Sequence, residues 1–211
     1  MQINMNEQEQ FWTKEYTNEY VTRNSNFDFN LGVEGWNKIL NGVDKSQIKT
    51  ILECGSNIGR NIGLLNNVLP SSKKSIIEIA KEPFDFVTRT YQLEYTYNGS
   101  IIESNLQKNY FDLVFTNGVL IHIHPDEVLE NMKKIYQYSN KYIIISEYFN
   151  TTPTMIEYRG KSNKLFKSDF GKTFVQNFDV EIIDYGFLWG FIYDNAGFND
   201  VTYWVFKKKQ K

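Results

Sequence analysis

Short apolar runs recur along this chain, bounded by glycine, asparagine and charged residues, and between them lie stretches whose apolar positions fall three or four apart. The two periods predict strands and helices, because side chains alternate across a strand and return to one face of a helix every turn. Strands are expected at residues 50–54, 75–79, 95–97, 112–116, 142–147, 180–185 and 201–206. Ile58, Ile62, Leu65 and Leu69 predict a helix after the first strand. Val128, Met132 and Ile135 predict another, opening at Pro125-Asp126-Glu127 with proline early and acids in the first turn. This alternation predicts an α/β fold with a mostly parallel, doubly wound sheet whose ligands lie beyond the carboxyl ends of the strands. Only residues 186–200 separate the last two strands, without a convincing helix, which predicts an antiparallel closing pair.

Two segments stand outside the alternation. Residues 1–40 are expected to form an N-terminal helical lid, with Trp12, Tyr16, Tyr20, Arg23 and Trp36 in an aromatic lead-in. Residues 148–177 are expected to form a substrate-facing insertion, since ordered loops of that length in a compact domain usually carry function. At 211 residues the chain suffices for one core, so a single domain over 1–211 is expected.

Composition narrows the function classes. The net charge is −2 with acids and bases interspersed, and the one basic cluster, at the carboxyl end, reads as a solvated tail rather than a nucleic-acid contact. Residues 1–10 are polar and no apolar run is long enough to span a bilayer, so a soluble cytoplasmic protein without membrane or nucleic-acid partners is expected. A lone cysteine, Cys54, excludes an internal disulfide and a thiolate zinc cluster.

Candidate chemistry concentrates where the first strand ends, in Leu52-Glu53-Cys54-Gly55-Ser56-Asn57-Ile58-Gly59. Glycine lets backbone approach a ligand closely, and Glu53 offers a carboxylate for a ligand amine. Glu78 ends the next apolar run about twenty residues on, as expected of a group that reads ribose hydroxyls. A dinucleotide fingerprint wants three glycines, and Asn57 stands at the middle position, which disfavours a nicotinamide oxidoreductase. The acidic-x-Gly-x-x-x-Gly pattern points instead to S-adenosylmethionine (SAM).

Several motifs together resemble the pseudaminic acid biosynthesis-associated methylases, a branch of the class I SAM-dependent methyltransferases. They are Phe11-Trp12 with Tyr20 and Arg23-Asn24, the glycine turn, Asn117-Gly118-Val119-Leu120-Ile121-His122-Ile123-His124-Pro125, Ser146-Glu147-Tyr148, Tyr158-Arg159-Gly160, Leu165-Phe166-Lys167, Asp184-Tyr185-Gly186 and the aromatic last strand around Trp204. The resemblance covers nearly the whole chain. It implies a Rossmann-like fold with a seven-stranded, mostly parallel sheet and an antiparallel edge strand, SAM as cofactor and S-adenosylhomocysteine (SAH) as product. The expected reaction is methylation of an oxygen or nitrogen on a small polar acceptor, with a sugar or nucleotide sugar of nonulosonic acid or cell-surface glycan synthesis as a candidate. A SAM-binding protein without turnover and a methyltransferase on another metabolite stand as alternatives.

Methyl transfer is an in-line displacement, and alignment of the partners alone can supply roughly 7–11 kcal/mol. Gly55, Asn57 and Gly59 are expected at the methionine end of the donor, Glu78 at its ribose, Ser100 and Ile101 at its adenine, and Asn117 and Gly118 beneath it. Arg23 is the candidate partner for the donor carboxylate, since a guanidinium makes two parallel bonds to it; a surface role is its alternative. Tyr16 and Tyr20 suit the sulfonium or plain packing. His124 is the candidate base, with His122 as a second base or a backbone-bonded structural residue, and Glu147 as a rival base. Tyr158, Arg159, Lys164 and Lys167 are candidates for a carboxylate or phosphate on the acceptor, against a solvated loop face. No metal site is expected.

Overall fold

The computed structural model describes residues 6–15, 27–193 and 195–209. Its main sheet is built from β1 (Thr50–Cys54), β2 (Lys73–Glu78), β3 (Thr96–Asn98), β4 (Phe111–Asn117), β5 (Ser139–Glu147), β8 (Val180–Leu188) and β9 (Val201–Lys208). Their spatial order is β3-β2-β1-β4-β5-β9-β8. The pairs β1–β2, β1–β4, β2–β3 and β4–β5 are parallel, whereas β9 runs antiparallel to both β5 and β8. The expected closing pair is therefore present, with β9 wedged inside and β8 at the edge. Between β8 and β9 sits one helical turn, α7 (Gly190–Tyr193).

Both faces of the sheet are covered, which explains why its central strands are nearly continuous apolar runs. Ile51, Leu113 and Phe115 join a core with Trp36 and Ile39 of α2 (Phe29–Ile39) and Leu64 and Leu65 of α3 (Arg60–Val68). Leu52, Cys54 and Val114 point the opposite way, into a core with Met132, Ile135 and Tyr138 of α5 (Pro125–Tyr138) and Phe170 and Phe174 of α6 (Phe170–Asn177). Each fully buried aliphatic side chain there contributes about 1.5–3 kcal/mol. A third, smaller cluster packs Ile62 and Ile76 on Val87 of α4 (Lys81–Thr90).

Residues 148–177 hold two elements that apolar periodicity does not reveal. One is the hairpin of β6 (Thr154–Tyr158) and β7 (Lys161–Lys167); the other is α6, started by Asp169, whose carboxylate accepts the Lys172 amide at 2.8 Å. The hairpin turns through Arg159 and Gly160, both left-handed at φ 55° and 73°, as a tight two-residue connection requires. Most of β6 and the first half of β7 are exposed, so the strands lack the alternation that a half-buried sheet would impose.

At the amino end, α1 (Glu7–Gln10) runs into a π-helical turn, Phe11–Glu15. A capping box starts it: Asn6 accepts from the Glu9 amide and the Glu9 carboxylate accepts from the Asn6 amide, both at 2.9 Å. Asn6 Nδ2 also donates to Glu127 of α5 at 2.8 Å and Gln8 Nε2 to the Asn163 carbonyl of β7 at 3.1 Å. α1 is thus tied to a core helix and to the hairpin. Among the described residues no helix is long and apolar enough to cross a membrane.

Candidate active site

A cavity of about 180 Å³ opens at the carboxyl ends of β1, β2 and β4. The turn leaving β1 forms one wall. Amides of Gly55 and Ser56 donate to the Ile77 carbonyl at 2.8 and 3.3 Å, which pins the turn against β2. Gly55 is left-handed at φ 80°, and a Cβ there would lie 2.6 Å from Val119 Cγ2, so only glycine allows the β1 and β4 loops to close together. Gly59 ends the turn as the residue before α3, away from the cavity wall.

Glu78 faces this turn from the end of β2. Its Oε2 accepts the Asn57 amide at 2.6 Å and its Oε1 the Ala80 amide at 2.8 Å. Burial pushes the Glu78 carboxyl above its ordinary value, and the amides of Ala80, Asn57 and Ile79 offset only part of that rise. Each oxygen keeps a lone pair for a further donor, and Glu78 lines the cavity with Ser100 and Ile101 beside it.

Glu53 occupies a different setting from the one expected of an amine reader. It is 1% exposed and absent from the cavity wall. Its Oε1 accepts Asn61 Nδ2 at 2.8 Å, and Asn61 Oδ1 accepts Trp36 Nε1 at 3.1 Å. Because β-strand side chains alternate, Glu53 points into the helix layer and ties β1 to α3 and α2. Burial holds its carboxyl well above the usual carboxylate range.

Beneath the cavity, β4 ends in Asn117 and Gly118, both on its wall. Asn117 Nδ2 donates to the Gly197 carbonyl at 3.1 Å, leaving a buried Oδ1 without a partner among the described residues. An unmatched buried acceptor is costly unless a ligand donor meets it. Gly118 is left-handed at φ 68° and a Cβ there would touch nothing within 4 Å, so glycine here leaves room above the strand end.

Glu147 organises the loop after β4. Fully buried, it accepts the amides of Val119 and Leu120 at 3.1 Å each and of Ile121 at 3.4 Å. This clamps the 3-10 turn Leu120–His122 against β5. Burial pushes the carboxyl up to about 7 despite those amides. Glu147, expected as a rival base or acceptor ligand, lies off the cavity wall, where its carboxylate holds the loop.

The two histidines, close together in the sequence, are separated by that turn. His122 lines the cavity, its Nδ1 2.8 Å from the Lys164 carbonyl and its ring in contact with Trp12 at 4.4 Å and Tyr158 at 5.3 Å, which also meet each other at 6.3 Å. Burial lowers its pKa to about 4. His124, expected as the base, instead caps α5: its Nδ1 accepts the Asp126 amide at 3.4 Å, and its side chain is 46% exposed, off the cavity wall.

The basic residues of the hairpin are likewise off the wall. Lys164 Nζ is paired with Glu7 Oε1 at 2.7 Å, Lys167 lies over the Tyr148 ring at 5.4 Å, and Arg159 over the Tyr158 ring at 5.6 Å. Tyr158 backs His122 and Trp12. Tyr16, Tyr20 and Arg23 lie outside the described residues. Sequence reasoning missed Asn6, Gln8, Glu9, Glu127 and Asn131 as cavity residues; the Asn6-x-x-Glu9 capping pattern was the one available signal for a helix start there.

No family model and no curated protein matches this sequence. Solved structures do. A SAM-dependent methyltransferase of Leishmania major superposes with a TM-score of 0.73 at 17% identity, over 95% of this chain and 81% of that one. The N-methyltransferase NodS of Bradyrhizobium japonicum, solved with SAH, gives 0.70 at 12% identity over 97% of this chain and all (100%) of the other. A sugar N-methyltransferase of Streptoalloteichus gives 0.65 at 10% identity, over 91% and 92%. At these identities the likeness is one of fold: this chain has the Rossmann-like fold of the class I SAM-dependent methyltransferases.

Proposed function

We propose that this protein is a SAM-dependent methyltransferase acting on an oxygen or nitrogen of a small polar acceptor, with a sugar-type compound of cell-surface glycan synthesis as the first candidate. The observation that carries the reading is the Asn117 Oδ1, unpartnered among the described residues, beside the open backbone of Gly118, in a cavity that Glu78 also lines. An acceptor for an ammonium, a bare strand end and a carboxylate for vicinal hydroxyls match the parts of SAM in order. Neighbours of the same fold include enzymes named for N-methylation and for sugars, which supports that acceptor class. The sequence resemblance to the pseudaminic acid-associated methylases points the same way, and the reading takes the chain as a single domain over 1–211 working in the cytoplasm.

SAM, when bound, supplies an electrophilic methyl carbon on a sulfonium. The chain supplies alignment and proton handling. Asn117 Oδ1 would take a donor ammonium hydrogen, Glu78 would hold the ribose hydroxyls through its remaining lone pairs, and Ile101 would pack against the adenine. Arg23, Tyr16 and Tyr20, which lie outside the described residues, stay candidates by residue type alone: a guanidinium would suit the donor carboxylate and aromatic rings its sulfonium. On the acceptor side, Trp12 offers a flat apolar face and His122 accepts the proton of the attacking group at Nε2, because its Nδ1 is committed to the Lys164 carbonyl. A ring with a pKa near 4 is neutral at physiological pH, with the Nε2 lone pair unprotonated. Asn6, Gln8, Glu9 and Trp12 bring the amino-terminal segment to the cavity wall.

Calorimetry with SAM and SAH, followed by labelled-methyl transfer across free sugars, amino sugars and nucleotide sugars, tests the reading. Binding without transfer to any acceptor supports a SAM-binding protein instead, and no heat with either compound overturns both.

A further inference from the structure

Lys164 engages two parts of the site at once. Its carbonyl lies 2.8 Å from His122 Nδ1, and its ammonium, on a side chain 6% exposed, lies 2.7 Å from the Glu7 carboxylate of α1 and 5.3 Å from the centre of the Phe11 ring. A carbonyl oxygen can only accept, so at this distance the ring nitrogen is the donor: Nδ1 carries the hydrogen, and the neutral ring keeps its lone pair on Nε2.

The rest of the cage is built from the same two segments. Trp12, at the end of the amino-terminal segment, covers one side of the His122 ring, and Tyr158, paired with Lys161 across the hairpin turn, covers another. Gln8 adds a second link between α1 and the hairpin, through the Asn163 carbonyl at 3.1 Å. A buried ammonium demands a closely placed counter-charge, so releasing Glu7 would cost the Lys164 side chain its seat and let β7 shift against the 3-10 turn. We propose that Lys164 is a positioning residue: its ammonium fastens α1 over the cavity while its carbonyl holds His122 in the Nδ1–H tautomer, so that covering the site and presenting Nε2 to the acceptor are one event.

The proposal rests on the methyltransferase reading for its effect on turnover alone; the tautomer can be read without cofactor. The chain has two histidines, so long-range proton–nitrogen spectra of 15N-histidine-labelled protein resolve both rings. Wild-type protein is expected to show one ring with a protonated Nδ1 and a bare Nε2. In Lys164→Met and in Glu7→Gln that ring passes to a mixture of tautomers and kcat falls roughly tenfold, while Lys164→Arg keeps the wild-type pattern. Glu7 is 70% exposed at its side chain, so E7Q tests the link even where K164M folds poorly. A wild-type ring carrying its hydrogen on Nε2, or an unchanged Nδ1–H signature in E7Q, overturns the proposal. Failure of SAH to bind by calorimetry counts against the methyltransferase reading and leaves the spectral result to decide on Lys164.

Discussion

Asn57 donates its amide to Glu78 Oε2 at 2.6 Å, so the turn after β1 and the acid at the end of β2 form one unit. Asn57 reaches this bond from a left-handed conformation at φ 46°, which asparagine tolerates better than most residues. The Glu78 carboxylate, proposed above to read a ribose, is thereby held from behind by backbone, with little freedom to lose when a ligand arrives.

Glu78→Gln places an amide group opposite one of two backbone donors, because a glutamine has only one acceptor oxygen. It should destabilise the fold by about 1–3 kcal/mol and weaken SAH at least roughly tenfold, equivalent to about 1.4 kcal/mol. Chemical denaturation and calorimetry measure the two effects separately. Unaltered SAH affinity would remove Glu78 from the cofactor site.

At the end of β4 the same two measurements should dissociate. Asn117→Ala removes the unmatched acceptor and should weaken SAH by about tenfold, with a modest stability loss from the bond to Gly197. Gly118→Ala puts a methyl group into the open space of the cavity at φ 68°; it should cost about 1 kcal/mol of stability and reduce SAH affinity by a larger factor than that strain explains. Tight SAH binding in both variants would move the cofactor elsewhere.

Glu147 makes a prediction about pH. Its folded pKa of about 7 lies above the ordinary value of 4.5, so the folded protein binds the proton more tightly than the unfolded chain between those values. Stability is then fully present below about pH 4.5 and falls as pH rises toward 7. The drop attributable to Glu147 is on the order of 3 kcal/mol. Glu53 and Glu78 are also raised by burial and act in the same sense. Denaturation midpoints at several pH values should show a shallower fall in Glu147→Gln than in the wild type; parallel curves would contradict this account.

The histidines should separate cleanly. His122→Ala should reduce turnover roughly 100-fold or more while leaving SAH bound. His124→Ala should remove the cap of α5, at about 1 kcal/mol, with turnover close to wild type. The reverse pattern in kinetics would return the base to His124.

Local patterns were enough for the layers of this fold. Ile51-Leu52, Leu113-Val114-Phe115 and Ile143-Ile144-Ile145 are buried on both faces of the sheet, and such runs declare themselves in one dimension because every position must be apolar. The glycine turn, Glu78 and the Asn117-Gly118 strand end were legible for a related reason: positive φ and a strand-terminal acid are properties of residue type at a place in the chain. The hairpin escaped because its outer halves face solvent and carry no period. What a carboxylate or ammonium does, by contrast, depends on which groups from distant parts of the chain reach it. Glu53 was claimed by Asn61, Glu147 by three loop amides and Lys164 by Glu7, and no spacing encodes those encounters. Residue order determined the sheet and the position of the cavity at its strand ends; only three-dimensional packing decided which polar groups remained free to face it, because burial makes every such group seek a partner and the partners come from elsewhere in the chain.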